Sequence, residues 1–389
     1  MVDVVVVGLG LVGSAALRSL AEAGTEVVGI GIDEPADRTT HTGPGASHWD
    51  SGRVTRHLDP RWEWAVLAAR SIAGYADLEA RSGIAFHRPA GTWMAELDPA
   101  RTEAIVAVAR RLGVVHHVDV LDGPAPRRGL LRFPEGTTVV REGAPAGHID
   151  PRRMRDANLA LARSAGAEAS PAEVVAFDRV GGSWRVRDRT GHEVVADRVL
   201  VAAGPHTDEL VGGLGLRTRA EAVVLATLDP DEAARLADLP SVLARIRHPR
   251  YADLYLVPPT TYPDGTARLK LGATSDPYRF LDDPAERRAW IVGDDHGAEL
   301  DDLRALLADL VPDLRASAWE TAPCLITETP SDLPVVAEIE PGLVVAAGGN
   351  GYAAKSANAL GALAAELTRT GEWLDPELGA EAFAPASAR

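Results

Sequence analysis

The first thirteen residues constrain the fold of this chain more than any other stretch. They read MVDVVVVGLGLVG, a run of valines followed by Gly8, Gly10 and Gly13 in the spacing G-x-G-x-x-G. Consecutive β-branched residues are typical of a strand that is buried on both faces. The Ala- and Leu-rich segment 14–23 that follows is predicted to be a helix. The glycines therefore lie in a turn between a strand and a helix.

Each glycine of this turn has a distinct expected role. Gly8 permits the tight turn, Gly10 lets a pyrophosphate approach the backbone, and Gly13 lets the helix pack closely on the strand. The free N–H groups and the positive dipole end of the helix N-terminus then favour phosphate oxygens. The sequence therefore predicts an α/β fold with a dinucleotide site at its N-terminus.

The acidic residue that usually holds the ribose of such a nucleotide is displaced in this chain. It is expected about 20 residues further on, at the end of the second strand. That strand is predicted over 26–32 and carries Gly29 and Gly31 near its end, so Asp33 and Glu34 are the nearest acids. Three readings stay open: one of these acids binds the ribose from a shifted turn, the backbone holds the ribose, or both acids are solvated loop residues.

Composition excludes several classes of protein. The 389 residues suffice for two domains, and the net charge of −16 argues against nucleic acid or an anionic membrane surface as a partner. No run of 18 apolar residues is present, and Asp3 interrupts the apolar N-terminus without a preceding basic segment, unlike a secretory signal. The single cysteine, Cys324, excludes a disulfide framework and a thiolate metal cluster. We expect a cytoplasmic protein without a metal site, either monomeric or a small homo-oligomer.

Buried strands followed by glycines recur late in the chain. RVLVAA at 198–203 runs into Gly204, and GLVVAA at 342–347 runs into Gly348, ahead of a helix predicted over 355–368. These strands indicate that the chain returns to the nucleotide-binding domain twice. The predicted domains are a discontinuous nucleotide-binding domain (1–85, 145–218 and 321–389) and an inserted α+β domain on a mixed or antiparallel sheet (86–144 and 219–320).

Two local predictions concern the segments between these strands. Apolar residues at three- and four-residue spacing predict a helix over 62–81. Three short alternating segments separated by glycine-containing turns predict an antiparallel meander over 173–195, followed by a separate buried strand over 198–203.

Motifs along the whole chain resemble those of one enzyme family. The N-terminal glycines, AAG at 202–204 and AAGGNGYAAK at 346–355 occur together in the D-amino acid oxidase/glycine oxidase family of FAD enzymes. SHWDSGRVTRH at 47–57, KLG at 270–272 and the context of the single cysteine bring the chain closest to the monomeric sarcosine oxidase branch. The resemblance implies an FAD-binding, Rossmann-like domain and an inserted substrate domain. It implies these cofactor-binding residues: Gly8, Gly10, Gly13, Asp33, Glu34, Ser47, His48, Gly204, Cys324, Gly348, Gly351 and Lys355.

The resemblance also implies a clamp for a substrate carboxylate, formed by Arg56 and Lys355. A carboxylate removed from water requires paired, charge-assisted donors. Arg56 also fits a surface ion pair. Lys355 begins a predicted helix, where a cation is unfavourable, so we expect an anion near it. Gly351 matches the position whose backbone faces substrate and flavin.

Two more cations match positions beside the flavin ring. Arg53 matches an arginine that favours the reduced, anionic flavin, and Lys270 matches a lysine associated with oxygen activation. Because Arg268 and Lys270 alternate, Lys270 also fits an exposed strand residue. Lys270 and Lys355 are, however, the only lysines in the chain, which indicates a need for an ammonium at both places.

Cys324 has two readings. In sarcosine oxidase relatives a cysteine at the matching place is bonded through sulfur to the flavin, which implies a covalent cofactor here. A lone cysteine is otherwise a small buried hydrophobe.

The resemblance implies oxidation of the C–N bond of an amino acid, a secondary or cyclic one being favoured. Hydride passes to flavin N5, an imine is released and hydrolyses, and O2 is reduced to H2O2. The alternatives are a flavin dehydrogenase that passes electrons to a carrier, a flavin-binding protein without turnover, and a nicotinamide dehydrogenase. Trp49, Thr274 and His206 depart from family residues near substrate or flavin, so the relatives' substrate is not carried over.

Overall fold

The computed structural model describes residues 1–293 and 297–386. The strands are β1 (Val2–Val7), β2 (Val27–Ile30), β3 (Arg53–Thr55), β4 (His87–Arg88), β5 (Thr92–Glu96), β6 (His117–Val120), β7 (Arg127–Arg128), β8 (Leu131–Arg132), β9 (Thr138–Glu142), β10 (Gly147–Ile149), β11 (Glu168–Ser170), β12 (Val174–Val180), β13 (Ser183–Asp188), β14 (Glu193–Val201), β15 (Arg217–Thr227), β16 (Ser241–Arg245), β17 (Tyr251–Thr261), β18 (Ala267–Ser275), β19 (Ala318–Glu328), β20 (Val335–Glu340) and β21 (Leu343–Ala347). The helices are α1 (Leu11–Glu22), α2 (Trp62–Ala73), α3 (Tyr75–Ser82), α4 (Pro99–Leu112), α5 (Pro151–Ser164), α6 (Thr207–Val211), α7 (Pro230–Arg235), α8 (Pro284–Val292), α9 (Gly297–Leu310) and α10 (Ala353–Thr370).

The N-terminal strand lies at the centre of the first sheet. That sheet has the order β11-β2-β1-β14-β13-β12, with β21 beside β14 and β20 beside β21. β1 pairs in parallel with both β2 and β14, and its residues Val4 to Val7 are at most 2% exposed. Val4 and Val6 pack into a core with α1 and α10, whereas Val5 and Val7 pack into the core on the opposite face. The prediction of a strand buried on both faces is confirmed.

A second sheet contains the order β19-β15-β18-β17-β16-β5-β9-β6. Most of its neighbouring strands are antiparallel, although β5 and β16 pair in parallel, so the sheet is mixed. Its apolar face packs with α8 and α9 around the largest buried cluster. β19 runs across the predicted domain limit between residues 320 and 321, and the domain limits themselves stay a prediction.

Two predicted elements differ from the structure. The helix predicted over 62–81 is divided, because Gly74 ends α2 and begins α3; glycine has a low helix propensity. The strands predicted as separate over 193–195 and 198–203 form one strand, β14. Its first half pairs antiparallel with β13 and its second half pairs in parallel with β1 and β21, so pairing is continuous along it.

Among the described residues, no helix is both long enough and apolar enough to cross a membrane.

Candidate active site

A deep cleft opens where the first sheet ends and the second sheet begins. On one side it is lined by the residues that follow β1, β2, β14 and β21, among them Gly8, Gly204 and Gly348. The carboxyl ends of parallel strands are the usual location of ligand sites in open α/β sheets. On the other side the second sheet contributes Tyr255 and Cys324. Strands from distant parts of the sequence therefore meet at one site.

The three N-terminal glycines face different surroundings. Gly8 has a φ of +93°, and a Cβ on it would lie 2.5 Å from the Ala202 carbonyl oxygen. A Cβ on Gly13 would lie 1.8 Å from the Gly8 carbonyl oxygen, so both positions exclude a side chain. A Cβ on Gly10 would meet only Nδ1 of His48, at 3.6 Å, and Gly10 is the N-cap of α1, so no side chain caps this helix. Gly10 is thus open to the cleft beside unpaired helix N–H groups, a fitting cradle for a phosphate.

Arginines bind both acids that were considered for the ribose. Glu34 forms ion pairs with Arg38, at 2.8 Å, and with Arg152. Asp33 pairs with Arg155 at 2.6 Å. Neither carboxylate lines the cleft. Their role toward a ribose stays a prediction.

Ser47 and His48 both line the cleft in the loop before β3. The Ser47 hydroxyl donates to the Leu325 carbonyl over 2.6 Å, which ties this loop to β19. Burial lowers the pKa of His48 to about 3, and the charges of Arg155 and Arg152 act in the same direction. The His48 imidazole is therefore neutral beside the Gly10 turn.

The predicted carboxylate clamp is assembled around a buried acid. Nζ of Lys355 donates to Oδ2 of Asp59 over 2.7 Å, and Nη2 of Arg56 lies 3.3 Å from the same oxygen. Arg56 is 4% exposed, which excludes the surface ion pair, and both cations line the cleft. The anion expected near Lys355 is Asp59. Burial lowers the pKa of Lys355 to about 8, with Arg56 acting in the same direction and Asp59 opposing it.

A second buried acid joins the other two cations. Asp50 forms ion pairs with Nη1 of Arg53 and with Nζ of Lys270. Lys270 also donates to the Gly52 carbonyl over 2.8 Å, lies over the Tyr255 ring and is 1% exposed. The reading of Lys270 as an exposed strand residue is therefore wrong: its strand is central in the second sheet. Arg53 lines the cleft, whereas Lys270 lies behind the cleft wall.

The inner face of the second sheet presents a thiol and a carboxylate side by side. Cys324 on β19 is directly opposite Glu221 on β15, so their side chains share one face, and both line the cleft. Nη2 of Arg53 lies 3.5 Å from the Cys324 sulfur. Burial raises the pKa of the Cys324 thiol, with Arg53 opposing the increase. Burial also raises the pKa of Glu221, although Arg219 forms an ion pair with it.

The glycine of the KLG motif makes room for an aromatic ring. A Cβ on Gly272 would lie 2.4 Å from the Tyr255 ring, which packs across the glycine and toward the cleft. Gly351 lines the cleft at the start of α10, where a Cβ would lie 3.7 Å from Nη2 of Arg219.

Sequence reasoning missed Asp50, Asp59 and Glu221. Asp50 and Arg53 are three residues apart, and so are Arg56 and Asp59. That spacing indicates an ion pair in a helix, but residues 50–59 are not helical, so the sequence offers no reason to pair them. The sequence holds no signal that distinguishes Glu221 from other acids of the inserted segment. No group of three or more histidine, cysteine or acidic side chains is placed to hold a metal ion within residues 1–293 and 297–386.

A sheet with parallel central strands, a glycine turn at the cleft, four cations beside the cleft and a second sheet across it define a dinucleotide-binding α/β enzyme. A family model described as FAD dependent oxidoreductase matches residues 3–367, and the chain belongs to that family. The protein is an FAD-dependent amine or amino acid oxidoreductase. The cradle at Gly10 and the unpaired N–H groups at the start of α1 fit the pyrophosphate of FAD.

Curated relatives and solved structures agree with this assignment. The chain is 25% identical over 383 residues to a monomeric sarcosine oxidase of Bacillus sp. (strain B-0618), with 95% of this chain and 93% of the relative covered. It is 26% identical over 398 residues to a monomeric sarcosine oxidase of Streptomyces avermitilis, with 96% and 95% covered.

Among solved structures, the chain has the fold of NikD, described as an unusual amino acid oxidase essential for nikkomycin biosynthesis. A Tyr258Phe mutant of NikD matches with a TM-score of 0.77 and 22% identity, over 99% of this chain and 97% of that one. L-proline dehydrogenase from P. horikoshii matches with a TM-score of 0.72 and 18% identity, over 99% and 96%.

Proposed function

We propose that this protein is an FAD-dependent oxidase of amino acids that uses O2 as the electron acceptor, and that secondary or cyclic amino acids are its substrates. The observation that carries the proposal is the pair of buried cations, Arg56 and Lys355, which line the cleft and share one counterion. A flavin-binding protein without turnover has no use for such a pair. Sarcosine, named in both curated relatives, is a secondary amino acid.

The substrate carboxylate is held by Arg56 and Lys355. Both are donors only, both are buried, and Asp59 supplies the single negative charge between them, so the trio carries one net positive charge. That charge complements one carboxylate in a site with little water. The amine is then directed from the clamp toward the cleft floor, where Gly351 offers backbone without bulk.

FAD, when bound, supplies the electron-accepting chemistry of C–N bond oxidation. The chain's own contribution is positioning and electrostatics. Arg53 offers a buried positive charge at the cleft wall, and Lys270 offers an ammonium for the oxygen half of the reaction. Cys324 lines the same wall, in reach of Arg53, and we propose that it is the point of covalent attachment of the flavin.

One observation favours a second candidate, a flavin dehydrogenase. Nζ of Lys270 is already bound by Asp50 and by the Gly52 carbonyl, and it lies behind the cleft wall. An ammonium neutralised in this way stabilises a new negative charge less than a free one does. L-proline dehydrogenase, which shares the fold, shows that the fold also serves a dehydrogenase.

The oxidase and the dehydrogenase are distinguished by supplying an amino acid and measuring electron transfer both to O2 and to a dye. The purified yellow protein is incubated with N-methyl, cyclic and D-amino acids, and H2O2 release and reduction of a dye are measured in parallel. An oxidase releases H2O2 in proportion to substrate consumed. Dye reduction without H2O2 identifies a dehydrogenase, and neither product with any amino acid overturns the proposed function.

The role of Lys270 is tested with Lys270→Met, which keeps the length of the side chain and removes its charge. Anaerobic reduction of the flavin by substrate should stay within a few fold of the parent. Reoxidation by O2 should slow by about 100-fold, because a fixed cation stabilises the charge that forms on oxygen. Lys270 has no part in the oxygen reaction if reoxidation is unchanged.

A further inference from the structure

We propose that Asp50 is the positioning residue of the proposed oxygen site: its carboxylate holds the Lys270 side chain in one place and keeps it an ammonium. The inference rests on the proposed role of Lys270. It gives a role to Asp50, which lies within the SHWDSGRVTRH segment, two residues after His48 and three before Arg53, but was not among the expected site residues.

The contacts of Asp50 are those of a fixed group. Oδ2 accepts from Lys270 and from Nη1 of Arg53. Oδ1 accepts from the Tyr262 hydroxyl over 3.1 Å and from the Ser51 backbone N–H over 2.7 Å. With four donors on its two oxygens, the carboxylate cannot turn without breaking a bond. Lys270 is fixed in turn, because Nζ binds Asp50 and the Gly52 carbonyl together.

This arrangement has a clear electrostatic purpose. Lys270 is 1% exposed and faces a second cation, Arg53, so its charged form is unfavourable without a nearby anion. Burial and Arg53 lower the pKa of Lys270 to about 8, and Asp50 is the largest influence that opposes them. The other groups that face Lys270 are the phenols of Tyr255 and Tyr262, which burial keeps protonated, and Cys324, which is uncharged both as a buried thiol and in a thioether bond to the flavin.

Without Asp50, Lys270 would lose its proton at a lower pH. An opposite charge at this range shifts a pKa by about 1–3 units, which is enough to leave an amine at neutral pH. The buried group {Asp50, Arg53, Lys270} carries one net positive charge in the parent. Replacing Asp50 by asparagine therefore moves the pH at which the flavin loses its neighbouring ammonium.

The test follows the midpoint potential of the bound flavin from pH 4.5 to pH 10, which requires neither amine turnover nor oxygen. The proteins are the parent holoenzyme, Asp50→Asn, Lys270→Met and the double variant, with Asp264→Asn as a control. Asp264 pairs with Arg268 at the exposed end of the same hairpin. The double variant keeps one net positive charge in this group, carried by Arg53, as in the parent, so it keeps the comparison possible if Asp50→Asn folds poorly.

We expect a change of slope near pH 8 in the parent and in Asp264→Asn, and the same change about one to three pH units lower in Asp50→Asn. Lys270→Met and the double variant should show no such change of slope, and their potentials should differ by a constant offset, because Asp50 is also the counterion of Arg53. The proposal is overturned by a change of slope at the parent pH in Asp50→Asn, by no change of slope in the parent, or by a change of slope near pH 8 that persists without Lys270. Failure of the proposed function is a separate result, the absence of amino acid oxidation.

Discussion

The ammonium nitrogen of Lys355 lies 2.7 Å from Oδ2 of Asp59, with both side chains at most 2% exposed. Arg56 approaches the same oxygen at 3.3 Å, so one acid serves two cations. A substrate carboxylate entering the cleft therefore meets cations that are already partly neutralised and already fixed. Because Asp59 is shared by Lys355 and Arg56, a substitution at any of the three changes how the cleft binds a carboxylate.

Removing either cation leaves a substrate carboxylate with one donor group fewer. Arg56→Ala or Lys355→Met should weaken apparent binding of an amino acid by about 2–4 kcal/mol, seen as a rise in KM of one to three orders of magnitude. An amine without the carboxylate should be affected much less. Arg61→Ala, a change to a half-exposed arginine of the same loop, is the control. Equal losses for acid and amine would assign these residues another role.

The pH dependence of binding follows from Lys355. Its ammonium form binds the carboxylate, and burial lowers its pKa to about 8, so the proton and the interaction are lost as pH rises through that value. In the parent, KM for an amino acid should rise above pH 8 more steeply than in Lys355→Met. Steady-state kinetics from pH 6.5 to pH 10 measure the ratio of KM in the parent to KM in Lys355→Met. Ionisation of the substrate amine changes both KM values equally, so it cancels in this ratio.

Replacing Asp59 by asparagine leaves two buried cations without an anion. Such a loss costs about 3–5 kcal/mol of unfolding free energy. A carboxylate ligand in the cleft would replace the missing charge, so an added substrate analogue should raise Tm more in Asp59→Asn than in the parent. Thermal unfolding with and without the ligand measures both values, and an equal Tm rise in the two proteins would contradict the expected exchange of anions.

Cys324 gives a direct test of covalent attachment. After acid precipitation the parent pellet should stay yellow, and Cys324→Ala should release the colour to the supernatant. Because Cys324 is 6% exposed and packs beside Arg53, alanine leaves only a small gap and the fold should persist. A colourless parent pellet would show that the flavin is held without a bond to sulfur.

Two glycines of the N-terminal turn form a matched pair. Gly10→Ala adds a methyl group whose nearest neighbour is 3.6 Å away, so the chain should fold and bind flavin weakly. Gly13→Ala places its methyl 1.8 Å from the Gly8 carbonyl oxygen, so the turn itself must move. Flavin content and circular dichroism of the two variants distinguish the outcomes. Normal flavin content in Gly10→Ala would show that the phosphates lie elsewhere.

Much of the first sheet could be predicted from the sequence, because strands buried on both faces are nearly continuous runs of valine, leucine and alanine. The glycines after these strands indicate the position of the cleft, because there the backbone must approach a ligand or another strand closely. The two counterions, Asp50 and Asp59, could not be predicted. Their loop has no regular periodicity, and their partners Lys270 and Lys355 are more than 200 residues away in the sequence.

Cys324 and the Gly10 turn belong to different sheets and lie 314 positions apart, yet they line one cleft. A flavin cradled at Gly10 and bonded at Cys324 would be a cross-link between the two sheets, closing a long loop as a disulfide does. Unfolding of the flavin-free protein would then separate into two transitions, one for each sheet. Attachment of the flavin would merge them into a single cooperative transition. The cofactor would then stabilise the folded protein in addition to supplying its chemistry.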